Sequence, residues 1–257
     1  MKQLLLLGKT ALATAVWVLL SWPPAQAQPA ARVPAPGVWF RLSSDAHLSR
    51  RLGLHADLHW RGGPRPAAMP AKALVRAGLN VHLSEQAVAS AGYAHAYSLP
   101  PSDQSNAPGP GARERRLYQQ LQVGEQTGAL WTRHRYRLEE RWLRENAART
   151  YHTRLRYQVQ LLLPLRGDHR LTPGTAYLVG ANELFVNLGP APSFFDQNRL
   201  SLLLGLQLSG ASALEAGVVH QSLTASPGSD DGSPGTVLQV GFTFRPDVRH
   251  GSALTKE

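Results

Sequence analysis

From about residue 50 to residue 245, apolar and polar side chains trade places at every second position, in runs of 12 to 16 residues. In Arg50 to Arg61, Leu52, Leu54, Ala56, Leu58 and Trp60 share one parity, and Arg51, Gly53, His55, Asp57, His59 and Arg61 the other. Val75, Ala77, Leu79, Val81 and Leu83 repeat the pattern against Arg76, Gly78, Asn80, His82 and Ser84. Leu200, Leu202, Leu204, Leu206 and Leu208 oppose Arg199, Ser201, Gly205, Gln207 and Ser209, and Leu238, Val240, Phe242 and Phe244 oppose Gln239, Gly241, Thr243 and Arg245. A period of two puts each set on one face of a strand, whereas at 100° per residue the same leucines would scatter around a helix. Strands of soluble proteins run about 5–6 residues. A tilted strand that crosses a bilayer needs about 9–11 and often extends beyond it. Length therefore favours a transmembrane barrel over a sandwich, and a closed barrel satisfies every backbone group in lipid without any apolar helix.

The spacing predicts an all-β, antiparallel, up-and-down transmembrane β-barrel of 10 to 12 strands over residues 37–246, its lumen lined with Arg and Glu. Ten strands are read from about residue 47 onward, and Gly37 to Ser43, around Trp39, is an eleventh candidate. Bacterial barrels are nearly always even in strand number, so Trp39 is expected either on a lead-in segment or on one strand of twelve. Tight turns are expected near Ser44-Asp45, Ser84-Glu85, Gly124 to Gly128 and Gly210-Ala211. Longer links fall at Gly62 to Pro70, Pro100 to Gly111, Gly189 to Ser193 and Ser226 to Gly235. Two links break this alternation of short and long: Glu145 to Ala148 is too short and Arg166 to Pro173 too long. Trp60, Tyr93, Tyr97, Trp131, Trp142, Tyr151 and Phe244 read as aromatic girdles toward strand ends.

The N-terminus reads as a cleaved signal peptide over residues 1–27, with Lys2 and Lys9, an apolar stretch from Ala11 to Leu20, and Ala25-Gln26-Ala27 as cleavage site. Residues 28–36 are a Pro/Ala-rich lead-in and 247–257 a C-terminal tail. The chain has no cysteine, which excludes disulfides, thiolate metal sites and lipoprotein processing. The net charge of +10 is carried almost wholly by arginine, since Lys2, Lys9, Lys72 and Lys256 are the only lysines. A basic chain suggests nucleic acid, but the export signal and the placement of the arginines argue against that partner.

Along the chain come Trp39, Gly92-Tyr93, Arg113-Glu114-Arg115-Arg116 with Tyr118-Gln119-Gln120, His134 to Arg141, Arg154-Leu155-Arg156-Tyr157, Glu183 with Phe185 and Asn187, and Phe195-Asp196-Gln197-Asn198-Arg199. That succession resembles a bacterial family, domain-of-unknown-function 2490, whose members are treated as outer-membrane β-barrels. The resemblance covers nearly the whole chain after the signal and implies a barrel in the outer membrane of a Gram-negative cell. It brings no established activity. Barrel proteins often end on an aromatic that the insertion machinery reads, whereas here Arg245 to Glu257 follow Phe244.

The arginine ladder dominates the candidate chemistry. Arg133, Arg135, Arg137 and Arg141 share a face with Glu139, and Arg154 and Arg156 follow on the next strand. Glu139, Glu183 and Glu215 are the expected counter-charges, Asp57 and Glu114 join them, and Arg199 belongs to the same face. Two readings follow: a salt-bridge network that plugs and stiffens the lumen, or a cation-lined path for anionic solutes or lipid headgroups. His55, Asp57 and His59 have a spacing that suits a metal only if a flat strand converges them, so no metal and no cofactor are expected. His220-Gln221-Ser222 echoes the His-x-Ser of outer-membrane lipid A deacylases and phospholipases. The sequence thus points to a non-enzymatic outer-membrane barrel, structural or a narrow channel. A lipid-modifying hydrolase using His220 and Ser222 is one alternative, and a soluble periplasmic β-sandwich binding protein the other. The expected partners are outer-membrane lipids and the barrel-assembly machinery, not nucleic acid.

Overall fold

The computed structural model describes residues 37–62, 72–98, 111–145, 148–165, 170–189, 193–223 and 235–248. The expected signal peptide and lead-in, and the tail from residue 249, lie outside the described residues. Among the described residues there are eleven strands and no helix: β1 (Gly37–His47), β2 (Leu52–Gly62), β3 (Lys72–His82), β4 (Ala87–Ser98), β5 (Ala112–Thr127), β6 (Leu130–Glu145), β7 (Ala148–Pro164), β8 (Ala176–Leu188), β9 (Phe195–Gln207), β10 (Ser212–Leu223) and β11 (Gly235–Phe244). Each pairs antiparallel with its neighbours in sequence, and the sheet closes on itself.

Closure is where the parity expectation fails. The Trp39 segment is neither a lead-in nor one strand of twelve. It is β1, and it closes an odd barrel by pairing in parallel with β11, from Gly37↔Val237 to Ser44↔Phe244. His47 extends the seam: its N–H donates to the Pro246 carbonyl at 3.0 Å, and its own carbonyl accepts from Val248 at 3.0 Å. The tight turn expected at Ser44-Asp45 lies inside β1, where Ser44 pairs with Ala56 and Asp45 with His55. Ser44-Asp45 reads as a turn because both residues are polar, but Asp45 shares the interior parity of Ser43, which in this barrel is polar, while Ser44 faces outward beside Phe244. Since β1 and β11 run the same way, Gly37 and Phe244 lie at opposite ends of the barrel.

Residues 48–51, 83–86, 128–129 and 208–211 turn the chain at the end that carries His47 and Phe244, called here the short-turn end. Three of these turns use one device. In Leu48-Ser49, Leu83-Ser84 and Leu208-Ser209 both backbone N–H groups donate to the carbonyl that opens the next strand, Leu52, Ala87 or Ser212. The serine Oγ in each accepts a further N–H, from Leu52 (3.0 Å), Ala87 (3.0 Å) or Ser212 (3.1 Å). The two-residue turn between β5 and β6 uses Gly128 at φ +59°, in the left-handed region that favours glycine. The strand ends flanking 63–71, 99–110, 190–192 and 224–234 meet at the other, long-link end; those links, expected to be long, lie outside the described residues. The two exceptions read from the sequence stand, with 146–147 short at the long-link end and 165–175 long at the short-turn end.

The two faces are sorted in the reverse of a soluble protein. Leu54, Leu58, Val75, Leu79, Leu117, Leu155, Leu200, Leu202, Leu204 and Val218 are exposed on the outside. Asp57, Arg76, Glu114, Arg116, Arg137, Glu139, Arg154, Arg156, Glu183 and Arg199 are buried inside. Five of the seven girdle aromatics, Trp60, Tyr93, Trp142, Tyr151 and Phe244, are exposed on the outward parity, although Tyr93 sits nearer mid-strand than the others. Tyr97 is less exposed, and Trp131 has the interior parity of Arg133 and lines the mouth at the short-turn end. Water-facing proteins rarely show either pattern, since fully buried Arg and Glu are scarce unless paired, and contiguous apolar surface is costly.

Candidate functional site

The interior is built by period two acting on five adjacent strands. Cross-strand partners share a face, so Glu114 and Arg116 on β5, Arg137, Glu139 and Arg141 on β6, Arg154 and Arg156 on β7, Glu183 on β8 and Arg199 on β9 all meet inside. Glu139 is the hub. Its carboxylate accepts from Arg156 Nη1 at 2.6 Å and Arg154 Nη2 at 2.9 Å, with Arg116 Nη1 and Arg137 Nη1 each 3.7 Å away. Glu183 Oε1 accepts from Arg135 and Arg156, each at 2.7 Å. Glu114 pairs with Arg116 at 2.5 Å and with the Arg141 Nε. Glu215 stands apart near the seam, taking Arg41 Nη2 at 2.9 Å and the Tyr177 hydroxyl at 3.1 Å. The second counter-charge cluster holds Asp57, which accepts from Arg76 at 2.5 Å and from His55 at 2.9 Å. Arg133, read as a rung of the ladder, lies exposed near the mouth and donates to the neutral Gln160 at 2.7 Å rather than to a carboxylate.

Residues outside the charge ladder complete the site. Three aromatic rings inside the barrel act as plates on which the guanidiniums stack. The Phe185 ring centre lies 4.5 Å from the Arg156 guanidinium carbon, 4.8 Å from that of Arg199 and 5.1 Å from that of Arg154. Trp39 carries Arg61 at 4.3 Å and Arg199 at 5.2 Å. Tyr118 lies 5.0 Å from Arg137 and 5.5 Å from Arg76. Their parity is that of the arginines, which is the signal in the sequence that marks them as interior.

Tyr118 seats on two glycines. A Cβ at Gly92 would stand 2.6 Å from the Tyr118 hydroxyl and 2.3 Å from the Ala77 carbonyl oxygen, and one at Gly78 2.3 Å from the same hydroxyl. Gly92→Ala is therefore expected to destabilise the barrel by about 1–3 kcal/mol through overpacking. The check is a urea unfolding curve in phospholipid vesicles, and an unchanged midpoint would contradict the seat.

Asp196 is invisible to a period-two reading. By simple alternation it shares the outward parity of Asn198. The β8–β9 register shifts between Phe185 and Val186, so that Phe185 pairs with Gln197 but Val186 with Phe195. This bulge leaves Asp196 unpaired in the ladder, and its carboxylate takes Arg154 Nη1 at 3.0 Å. A local shift of one residue thus adds a carboxylate to the network.

The network does not fill the lumen. Among the described residues, a central cavity of about 180 Å³ is lined by eleven arginines and four carboxylates, an excess of positive charge. It is room for a few waters or a small solute. At the short-turn end a wider vestibule of about 560 Å³ is lined by Asp45, His47, His82, Gln86 and Arg133 among others. Nε of Arg41, Arg76 and Arg135 and Nη1 of Arg137 are buried in the wall with no hydrogen-bond acceptor among the described residues.

The remaining candidates fall elsewhere. His55 Nδ1 lies 2.7 Å from Asp45 and His59 Nε2 3.9 Å from Asp57, whose carboxylate is engaged by Arg76 and His55. Among the described residues no group of three such side chains is set to hold a metal ion. His220 and Ser222 share the outward parity of β10, opposite Glu215, Val219 and Gln221. His220 Nδ1 lies 2.9 Å from Thr236 Oγ1 on β11, so its ring is oriented by a hydroxyl and not by a carboxylate.

In comparison with known proteins, the model of a family described as "Protein of unknown function (DUF2490)" matches residues 36–232. No curated protein and no solved structure matches the chain.

Proposed function

The chain belongs to the DUF2490 family of proteins of unknown function, and from that premise we propose that it is a non-enzymatic outer-membrane barrel whose occluded, arginine-lined lumen admits only small anionic solutes. The observation that carries the reading is the inversion of the two faces, leucine outside and paired arginine inside. A leucine exterior has its natural solvent in hydrocarbon, and a closed ladder pairs backbone groups strand to strand without an open edge. Strands of 10 to 17 residues are long enough for the crossing. The short-turn end corresponds to the periplasmic side, as in barrels of this class. Gly37 then lies on the outer side, away from Phe244.

Passage is restricted by geometry and biased by charge. Eight strands close around a lumen that side chains fill and sixteen leave an aqueous channel. Eleven strands with a belt of ion pairs fall between these limits. The arginine excess along the central cavity raises the local anion concentration and excludes cations.

In planar bilayers the folded protein is expected to give a small conductance with chloride favoured over potassium. A large unselective conductance, or a preference for cations, contradicts the proposal. Silence in the presence of small organic anions removes the channel and leaves a structural envelope protein. Fractionation tests the membrane part separately: the protein stays with carbonate-washed outer membranes and shows heat-modifiable gel mobility, where a soluble sandwich does neither.

A further inference from the structure

We propose that an outward row of arginines at the long-link end, Arg113, Arg144 and Arg149, binds the phosphate groups of anionic lipids. The inference rests on the membrane reading above. The three residues are directly opposite one another on adjacent strands, Arg113↔Arg144 across β5–β6 and Arg144↔Arg149 across β6–β7. All three are exposed. Arg115, one outward position further along β5 and also exposed, widens the patch. Strands lie about 4.8 Å apart, so three guanidiniums side by side repel one another. Among the described residues no carboxylate forms an ion pair with any of these four arginines, in contrast to the paired arginines inside. A row of this kind calls for an external anion, and the planar fork of arginine matches phosphate oxygens two at a time.

A second feature sets the depth of the row. The next outward pair toward mid-barrel is Trp142↔Tyr151, with ring centres 5.4 Å apart. Tyr97 pairs with Arg113 from β4, its ring centre 5.9 Å from the guanidinium carbon. Amphipathic rings settle at headgroup level. Arginines just beyond them stand where lipid phosphates lie, and basic clusters at that depth recognise anionic headgroups. At the other end Arg50 and Arg51 are exposed on a turn and form no cross-strand row, so they serve as the control.

The test is native mass spectrometry of the full folded chain in detergent, titrated with phosphatidylglycerol, diphosphorylated lipid A or phosphatidylcholine. The wild type is expected to bind the first two at least tenfold more tightly than the third. The Arg113→Gln/Arg144→Gln/Arg149→Gln variant loses that preference and Arg50→Gln/Arg51→Gln keeps it. Millimolar inorganic phosphate should not displace bound lipid, because the acyl chains add apolar contact that the free ion lacks. Displacement by the free ion, or a triple variant within twofold of wild type, overturns the proposal. If the triple variant lacks heat-modifiable mobility, single Arg144→Gln and Arg144→Lys variants replace it. Arg144→Gln is expected to weaken lipid binding about threefold, with Arg144→Lys between it and wild type, and equal binding by all three overturns the proposal. A wild type that never inserts into phosphatidylcholine vesicles refutes the membrane reading instead, and the two failures are told apart by that single measurement.

Discussion

Replacing Glu139 by Gln is expected to cost the barrel about 3–5 kcal/mol, the range for removing one partner of a buried ion pair. Glu139 is almost fully buried and holds Arg154 and Arg156 by hydrogen bonds, with Arg116 and Arg137 close by. Gln keeps the shape and one acceptor but removes the charge, and four guanidiniums then face one another across a poorly solvated space. Asp196 still serves Arg154 and Glu183 still serves Arg156, which sets the expectation toward the lower part of the range. The measurement is urea unfolding from phospholipid vesicles, followed by tryptophan fluorescence. Glu85→Gln, exposed on the turn between β3 and β4, is the control and should stay within about 0.5 kcal/mol, as surface substitutions do. Equal effects of the two would refute the hub. The same variant is expected to raise the anion conductance, because mutual repulsion opens the belt that Glu139 draws together.

The second large effect belongs to the outside. Leu202→Arg, near the middle of β9 on the exposed face, is expected to cost about 2–4 kcal/mol in a bilayer, and Leu206→Arg, near the strand end, about 0–1 kcal/mol. The difference arises because an arginine at mid-depth must drag its charge through hydrocarbon, whereas one near the interface reaches headgroups and water. If this surface faced water, both substitutions would change stability by no more than about 0.5 kcal/mol. Unfolding midpoints of the two variants in the same vesicles decide between these outcomes, and the depth dependence separates a lipid-facing surface from a subunit interface.

The buried pairs are not a source of net stability in themselves. Ion pairs removed from water regain little more than the desolvation they cost. What they provide here is occlusion with a fixed geometry. Arginines anchored to carboxylates and stacked on Phe185, Trp39 and Tyr118 cannot swing aside as freely solvated side chains would. A narrow lumen lined by an excess of arginine discriminates by charge and by size together.

Much of this protein is determined by its sequence because period two is a local property. Leu202 lies opposite in parity to Arg199, and no tertiary contact is needed to put them on different faces. The same holds for Arg154, Arg156, Glu139 and Glu183, and for the residue family itself, carried by short segments such as Phe195 to Arg199. Three features were decided only by the tertiary structure. Closure is non-local: nothing within Gly37–His47 states that its partner is Gly235–Phe244 or that the pairing runs parallel, so the odd strand number could not be read along the chain. Asp45, in the polar pair Ser44-Asp45, imitates a turn residue unless the interior is already known to be polar. The bulge at Asp196 arises from the register of β8 against β9, and it reverses the parity from which the rest was read. Alternation assigns faces residue by residue, whereas closure and register depend on which distant backbone supplies the hydrogen bonds.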